Sequence, residues 1–300
     1  MLPNSYYIYQ FIYTFHMPVF IFLFGYNVKY SLKKIVFRWI APYIMFQSIY
    51  ILFQILVLKN NVTFQYTTPY WLLWYILTCI FYQIALPLFN TTNKIKQIII
   101  LLCVFIISIL VGFIEQIDYY MSLSRFFVFL PYFLLGYYCK KNNILEKCIN
   151  NHKTQKIFLF LSILIIVFSV LFLNCTNIPN NILYGSCSYL VCGGRPWMRI
   201  TIFLIALGWI SFLFIGVKSY LNKEVHLLTK IGQNTWSIFL LHGFIVKIVQ
   251  TYYPWLISSY VQLILISCII LLVTGNKTMN KAINIIGCSW TEKIFRFKNN

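Results

Sequence analysis

Acidic residues are scarce in this chain. Only five of its 300 residues are Asp or Glu, whereas 24 are Lys or Arg, which gives a formal net charge of +19. The five acidic residues fall in loops or at the edges of apolar stretches. This placement argues against an ion-coupled pump, because pumps of that class rely on carboxylates inside the membrane.

Several sequence motifs of catalysis and metal binding are also absent. The chain has no Walker loop, no GxGxxG, no GxSxG and no HExxH. Its nine cysteines form no CxxC pair and do not alternate with histidine at zinc-ligand spacing, so we expect no metal. Cys175, Cys187 and Cys192 share one loop, for which both a disulfide and free thiols remain open. No basic segment precedes the first apolar run, so we expect no cleavable signal peptide.

Apolar residues make up most of the chain. It is 60% hydrophobic and only 10% charged, and a soluble domain of this length could not bury so much apolar surface. A helix needs about 20 apolar residues to cross a bilayer. The sequence therefore predicts an all-α integral membrane protein, a bundle of about nine transmembrane helices whose partner is the lipid bilayer. The predicted spans are 8–26, 35–58, 70–90, 98–114, 124–139, 157–173, 200–217, 232–250 and 257–274.

Basic residues cluster in alternate loops. The segments that follow the first, third, fifth, seventh and ninth spans hold 19 of the 24 Lys and Arg. Cytoplasmic loops carry such an excess, so the alternation predicts a cytoplasmic C-terminus and, with nine spans, an external N-terminus. It also argues against nucleic acid as a partner, because the charge is spread over five short loops. We divide the chain into a transmembrane domain, residues 1–275, and a basic cytoplasmic tail, residues 276–300. The other five basic residues are Lys59, Arg125, Arg195, Arg199 and Lys247.

Two histidines lie inside predicted spans. His16 is in the outer half of the first span, and His242 is near the middle of the eighth. Ionisable groups in hydrocarbon are costly and mark functional sites by default, and histidine can exchange a proton near neutral pH. We predict that both are catalytic and face one cavity. The alternative is a neutral histidine that hydrogen-bonds a neighbouring helix.

Arg125 begins the fifth span and is a third candidate. Glu115 and Asp118 precede it in the same external loop. One interpretation is an ion pair at the membrane edge, which contributes little to stability. The other is an arginine that stabilises an oxyanion at the mouth of a site.

Two further groups are candidates for binding. Arg195 and Trp197 end the longest external loop, where they can contact a sugar by hydrogen bonding and stacking, although tryptophan at an interface also serves as an anchor. Lys33, Lys34 and Arg38 lie at the cytoplasmic foot of the second span. Such clusters set topology, and they can also hold the phosphates of a cytosolic cofactor.

Two long apolar segments of the chain carry distinctive motifs: YIYQFIYTFHMPVFIFLFGYNV and IGQNTWSIFLLHGFIV. Less distinctive segments lie between them: KKIVFRWIAPY, WLLWYILTCIF and RFFVFLPYFLLGYYCKK. In order and spacing these segments resemble the acyltransferase 3 family, in particular its fucose 4-O-acetylase-like branch, and the first two are the most specific matches. Within these segments His16 matches the histidine of the family's FHMP motif and His242 that of its LLH motif. Arg125 matches an arginine that precedes the PxFLLGY stretch.

The resemblance implies a bacterial plasma-membrane O-acyltransferase of about ten helices. Such enzymes move an acetyl group from cytosolic acetyl-CoA to a hydroxyl of an extracytoplasmic polysaccharide or its lipid-linked precursor. A sugar hydroxyl needs a base before it attacks a thioester, and an intramembrane histidine can serve. The family's first helix carries a further histidine, and we expect that helix to be lacking here.

Two other functions remain open at this point. One is a non-catalytic, truncated member of the family, which the expected lack of the first helix favours. The other is a transporter or flippase for a lipid-linked glycan. A transporter would favour paired broken helices in matching halves of the chain, and the sequence shows no such repeat.

Overall fold

The described part of the chain folds entirely as helices and connecting loops. The computed structural model describes residues 3–117, 119–176, 178–217 and 226–284, and within these ranges it contains no strand, as predicted. The helices in chain order are α1 (Pro3–Tyr13), α2 (His16–Asn27), α3 (Leu32–Ile35), α4 (Ala41–Leu56), α5 (Trp74–Ala85), α6 (Lys94–Leu110), α7 (Leu123–Lys141), α8 (Ile144–Asn150), α9 (His152–Cys175), α10 (Asn180–Leu183), α11 (Tyr189–Cys192), α12 (Pro196–Ser211), α13 (His226–Gln233), α14 (Thr235–Tyr252), α15 (Tyr260–Thr274) and α16 (Lys277–Asn284).

Every predicted span coincides with one or two of these helices. Five stretches of the described chain are long and apolar enough to cross a membrane on their own: Tyr7–Asn27, Leu32–Leu56, Lys94–Phe113, His152–Cys175 and Pro196–Gly216. The pair Tyr260–Thr274 and Lys277–Ile283, bent by 61°, would be a sixth. The protein is therefore a multi-pass membrane protein, and the count of nine crossings stays a prediction.

Side-chain caps fix where several helices begin. Asn93 accepts hydrogen bonds from the first turn of α6, and Asn151 does the same for α9. Pro196 occupies the first position of α12, where its missing N–H costs nothing. Ser259 and Gln262 form a reciprocal capping box at the start of α15. These polar caps lie outside the apolar runs.

The chain divides into two units. The His16 unit comprises Pro3–Tyr30 and Phe81–Lys223, and the His242 unit comprises Met1–Leu2, Ser31–Ile80 and Glu224–Asn300. Of the predicted tail, residues 285–300 lie outside the described residues. Each unit is described by itself.

The centre of the His16 unit is a close crossing of α2 and α7. At Gly25 a Cβ atom would lie 2.9 Å from the carbonyl carbon of Phe133, and nearer still to its oxygen. At Gly136 a Cβ atom would lie 2.9 Å from the backbone nitrogen of Tyr26. The two glycines thus let the helix backbones touch. Because α2 carries His16 and α7 carries Arg125, this crossing positions both candidate groups.

In the His242 unit, α4 packs against α14 through aromatic rings. Tyr50 is fully buried, its ring stacks on Phe244 with centroids 4.0 Å apart, and its hydroxyl donates to the Leu240 carbonyl at 3.1 Å. Ser237 on α14 donates to the Thr274 carbonyl at the end of α15 at 2.7 Å. These contacts hold the middle of α14, where His242 lies.

The loop between α4 and α5, residues 57–73, folds back along α4, and we call it the folded-back loop. Gln47 organises it: its side-chain nitrogen donates to the carbonyls of Gln65 at 2.9 Å and Thr68 at 3.0 Å, and its oxygen accepts from the Tyr70 amide at 2.8 Å. Gln47 lies nine residues before the end of α4, or about 13 Å along the helix. Irregular polar backbone at such a depth is tolerated only inside protein or beside a water-filled cavity. Residues 59–67 are largely exposed, so we expect this side of the folded-back loop to face water and not lipid.

Candidate active site

His16 lies at a break in its membrane span. Helix α1 ends at Tyr13 and α2 begins at His16, with Phe15 out of helical geometry at φ −132° and ψ −30°. Pro18 explains the position of the break, because a proline ring clashes with the carbonyl four residues earlier, which here belongs to Thr14. Pro18 thus opens the helix beside the histidine.

The imidazole of His16 is held by the backbone. Its Nδ1 lies 2.9 Å from the carbonyl oxygen of Ile12. A carbonyl can only accept, so Nδ1 carries the hydrogen and the neutral ring presents the lone pair of Nε2. Within the described part of the chain no residue hydrogen-bonds Nε2. This is the arrangement that a general base requires.

Aromatic side chains surround His16 on one face of the span. The Tyr13 ring meets the imidazole edge-on with centroids 4.4 Å apart, and Tyr184 meets Tyr13 at 5.0 Å. On another side, Trp209 of α12 stacks on Phe15 at 4.2 Å. The indole Nε1 of Trp209 is buried without a hydrogen-bond partner among the described residues, which leaves a donor near the break.

Arg125 reaches the same cluster from α7. Its Nε donates to the Tyr184 carbonyl at 3.3 Å, and its guanidinium lies 5.4 Å from the centroid of the Tyr119 ring. The structure therefore brings His16 and Arg125 into one cluster, linked through Tyr184. The sequence offered no signal for Tyr184, because it is 59 residues away from Arg125 and lies in a loop. The predicted alternative, an ion pair of Arg125 with Glu115 or Asp118 at the membrane edge, stays a prediction, since Asp118 lies outside the described residues.

His242 lies in the other unit with the same local arrangement. Its Nδ1 is 2.7 Å from the Ile238 carbonyl, one helical turn earlier in α14, so its Nε2 is the acceptor of the neutral ring. Gly243 follows it, and a Cβ there would lie 2.8 Å from Leu72 in the folded-back loop. Trp71 in that loop has a φ of 37°, which is strained for a bulky residue. Strain of this kind concentrates at functional sites.

The basic cluster of the His242 unit is accessible. Lys33 and Lys34 are exposed on α3, and Arg38 is exposed on the π-helical turn Val36–Ile40 that joins α3 to α4. Pro42 follows this turn, and its ring excludes a regular bond to the Arg38 carbonyl. Insertions of π-helix are frequent at functional sites.

Arg195 and Trp197 are exposed at the start of α12. Trp197 is 40% exposed and meets the Phe172 ring edge-on at 5.9 Å. Both side chains are accessible to a ligand, and within the described residues neither makes a hydrogen bond or a ring contact with His16, Tyr13 or Arg125.

Arg199 is a buried arginine to which the sequence analysis assigned no role. It is 6% exposed, donates to the carbonyls of Ser108 at 2.9 Å and Cys187 at 3.0 Å, and lies over the Tyr189 ring at 4.6 Å. Ser108 is in the last turn of α6, where a cation is favoured by the helix dipole. Arg199, on α12, thus hydrogen-bonds both the end of α6 and the loop between α10 and α11, which contains Cys187. The sequence did hold a signal for Arg199, because an arginine three residues after the start of an apolar helix is unusual.

The loop that carries Tyr184 is also cross-linked. Cys187 and Cys192 form a disulfide, whereas Cys175 is a free, exposed thiol. The sequence left a disulfide and free thiols open as alternatives. The structure shows a disulfide for Cys187 and Cys192 and a free thiol for Cys175. Among the residues that the structure covers, no group of three or more His, Cys, Asp or Glu could hold a metal ion.

Comparison with known proteins identifies the family. The family model described as an acyltransferase domain, acyltransferase 3, matches residues 1–275. No curated protein and no solved structure shows significant similarity to the chain. The match covers far more than half of the 300 residues and includes every candidate residue described above. The chain belongs to the acyltransferase 3 family and is a membrane acyltransferase.

Proposed function

We propose that this protein transfers an acetyl group from cytosolic acetyl-CoA to a hydroxyl of an extracytoplasmic polysaccharide or of its lipid-linked precursor. The observation that carries the proposal is His16. It is an intramembrane histidine whose Nδ1 is bonded to a backbone carbonyl, whose Nε2 is left as an acceptor, and whose aromatic neighbours lead to Arg125. The family makes the reaction an acyl transfer, and a base of this kind suits a hydroxyl acceptor.

The reaction balances with His16 as the proton carrier. Nε2 takes the proton of the acceptor hydroxyl while the oxygen attacks the thioester carbonyl carbon, forming the new C–O bond. The carbonyl oxygen becomes an oxyanion, which the positive charge of Arg125 stabilises. Collapse of this intermediate breaks the C–S bond, and the leaving thiolate takes the proton back from the imidazolium of His16.

The donor is proposed to bind through the basic cluster of the His242 unit. Acetyl-CoA carries phosphates, and Lys33, Lys34 and Arg38 are exposed cations with no acidic residue nearby in sequence. In the topology inferred from the positive-inside rule, this cluster faces the cytoplasm, as does the C-terminus, in a bacterial plasma membrane. No metal enters the reaction.

His242 in one unit and the exposed pair Arg195 and Trp197 in the other are given separate proposed roles. His242 presents an acceptor nitrogen within its span and is proposed as a second catalytic group that carries a proton. Arg195 and Trp197 are proposed to contact the glycan by hydrogen bonds and stacking.

The test measures acetyl transfer directly. Membranes that contain this chain are incubated with acetyl-CoA labelled in the acetyl group and, separately, with peptidoglycan, teichoic acid, lipopolysaccharide or capsular polysaccharide. Alkali-labile acetyl esters on each glycan are then measured by mass spectrometry. We expect label on one of these glycans.

His16→Ala is the decisive variant and His152→Ala is its matched control. A positioned general base contributes about 10²- to 10⁴-fold in rate, so we expect His16→Ala to lose at least 100-fold of the transfer at equal protein level. His152 is exposed at the start of α9, and its variant should keep the wild-type rate. Ester content unchanged in His16→Ala would refute the role of His16, and no label on any glycan with the wild-type chain would refute the acceptor class.

A further inference from the structure

A stripe of ring-bearing side chains lines one face of the first membrane span. Tyr9 and Tyr13 are four residues apart in α1, which places them on the same side of that helix, and His16 follows directly after the break. The Tyr9 and Tyr13 rings are 4.3 Å apart, and the Tyr13 and His16 rings are 4.4 Å apart. The stripe therefore leads without a gap to the proposed base.

Tyr184 closes this stripe from the opposite side. Its hydroxyl is hydrogen-bonded to the hydroxyl of Tyr9, and its ring meets Tyr13 edge-on at 5.0 Å and Tyr9 at 6.4 Å. Tyr9 is 37% exposed, and Tyr13 and Tyr184 are half-buried. The three rings and their hydroxyls are thus accessible to a ligand while being fixed against one another.

Two residues of α7 hydrogen-bond the turn that carries Tyr184. Ser124 donates to the Gly185 carbonyl at 2.8 Å, next to the bond from Arg125 to the Tyr184 carbonyl. Gly185 has a φ of 60°, a conformation that favours glycine. The same helix that supplies Arg125 therefore sets the position of Tyr184.

The aromatic ring faces and the phenol hydroxyls of this stripe together favour a sugar as the ligand. A sugar ring presents C–H groups that pack on aromatic faces and hydroxyls that exchange hydrogen bonds with phenols, whereas an acyl chain can pack on the rings but can form no hydrogen bond with their hydroxyls. We propose that Tyr9, Tyr13 and Tyr184 form the subsite for the acceptor sugar, with its reactive hydroxyl directed to His16. This inference rests on the proposed acetyl transfer and names the residues that bind its acceptor.

The test separates acceptor binding from catalysis and folding. The probe is whichever of the four glycans above becomes labelled, and the variants are Tyr9→Phe and Tyr13→Phe, which remove one hydroxyl and keep the ring. Loss of one hydrogen bond should raise the KM for the glycan about 3- to 10-fold. The KM for acetyl-CoA should stay within twofold of wild type, and the slow hydrolysis of acetyl-CoA without glycan should fall less than the transfer to glycan does. Tyr30→Phe, at an exposed tyrosine outside the stripe, is the control and should change nothing.

Each outcome bears on a different part of the inference. A glycan KM within twofold of wild type in both variants would overturn the subsite and leave the acetyl transfer standing. An equal loss in donor hydrolysis and in transfer would show a structural role and would also overturn it. Absence of label with the wild-type chain would overturn the acetyl transfer and the subsite together. If Tyr9→Phe does not accumulate in the membrane, Tyr13→Phe alone decides, since we expect the same result for both variants: a raised KM for the glycan and a nearly unchanged KM for acetyl-CoA.

Discussion

The glycine crossing of α2 and α7 supports a quantitative prediction for Gly25→Ala and Gly136→Ala. In a helix, alanine is more favourable than glycine by about 1 kcal/mol, so propensity alone predicts two stabilised variants. The contacts predict the opposite. The nearest non-oxygen backbone atoms, the carbonyl carbon of Phe133 and the amide nitrogen of Tyr26, would lie 2.9 Å from the new methyl groups, and a carbonyl oxygen would lie closer in each case. Ordinary contact begins near 3.4 Å, and backbone cannot rotate away as a side chain can.

The helices must therefore separate, and this has two costs. Overpacking of a tight core costs about 1–3 kcal/mol, of which the gain in propensity offsets about 1 kcal/mol, so the apparent melting temperature should fall by up to about 4 °C. Separation also shifts α2 relative to α7, and with them His16 relative to Arg125. A displacement of about 1 Å in a catalytic arrangement can cost about 100-fold in rate. We expect activity to fall more steeply than stability.

The assay combines detergent-solubilised thermal unfolding with the acetyl-transfer measurement. Gly232→Ala is the matched control, because Gly232 lies in α13 with no atom near its virtual Cβ and should be neutral or slightly stabilised. The double variant is informative, since one separation of the helices relieves both clashes. Its loss should be smaller than the sum of the two single losses. Single variants that melt and react like wild type would refute the close crossing, and strictly additive losses would refute the shared displacement.

Two further predictions concern buried polar side chains. Arg199→Met should lower the free energy of unfolding by about 1–3 kcal/mol for each carbonyl left without a donor, and thermal unfolding checks this; an unchanged melting temperature would show that neither bond contributes to stability. Gln47→Leu should release the folded-back loop while α4 stays folded, which hydrogen exchange detects as faster exchange confined to that loop; equal exchange in both proteins would contradict the role of Gln47.

The elements of the fold follow from the sequence wherever an apolar run is long. The run beginning at Ile157 predicts a span, and α9 is that span. The helix begins earlier, at His152, because Asn151 caps it and several polar residues form its first turn. The same holds at α12, which Pro196 starts before the apolar run. Hydropathy locates the hydrocarbon core, whereas polar caps decide where the helix begins.

The candidate site is only partly predictable, because its members come together through a loop. His16 and Arg125 stand out as ionisable residues in apolar surroundings, and their residue types suffice to select them. That they share one cluster depends on Tyr184, whose position requires the turn at Gly185 and the disulfide-closed segment after it. No periodicity encodes such a contact. The sequence shows that Arg199 lies in an apolar helix. That it hydrogen-bonds the carbonyls of Ser108 and Cys187 can be seen only in the structure.

The break beside His16 leads to a last prediction, in which stability and activity move in opposite directions. Pro18 prevents a regular bond to the Thr14 carbonyl, so α1 and α2 form separate segments. Pro18→Ala restores a donor, and because Pro18 lies in the first turn of α2, where proline is tolerated, thermal stability should be kept or slightly raised. A continuous helix would swing Tyr9 and Tyr13 away from Tyr184. It would also bring the His16 amide to the Ile12 carbonyl, which already accepts from the Phe15 amide at 3.3 Å, and this amide would compete with Nδ1 of His16.

We therefore expect kcat of Pro18→Ala to fall at least tenfold and the KM for the glycan to rise, in a protein that unfolds no earlier than wild type. Pro254→Ala serves as the control, because Pro254 is exposed in a loop segment after α14. A folding defect would lower melting temperature and activity together, so the opposite movement distinguishes the two causes. Full activity in Pro18→Ala would mean that the histidine works equally well in an unbroken helix, and the argument from the break would fail. The reason for a proline two residues after an intramembrane histidine would then have to be sought in assembly of the bundle and not in the chemistry of the site.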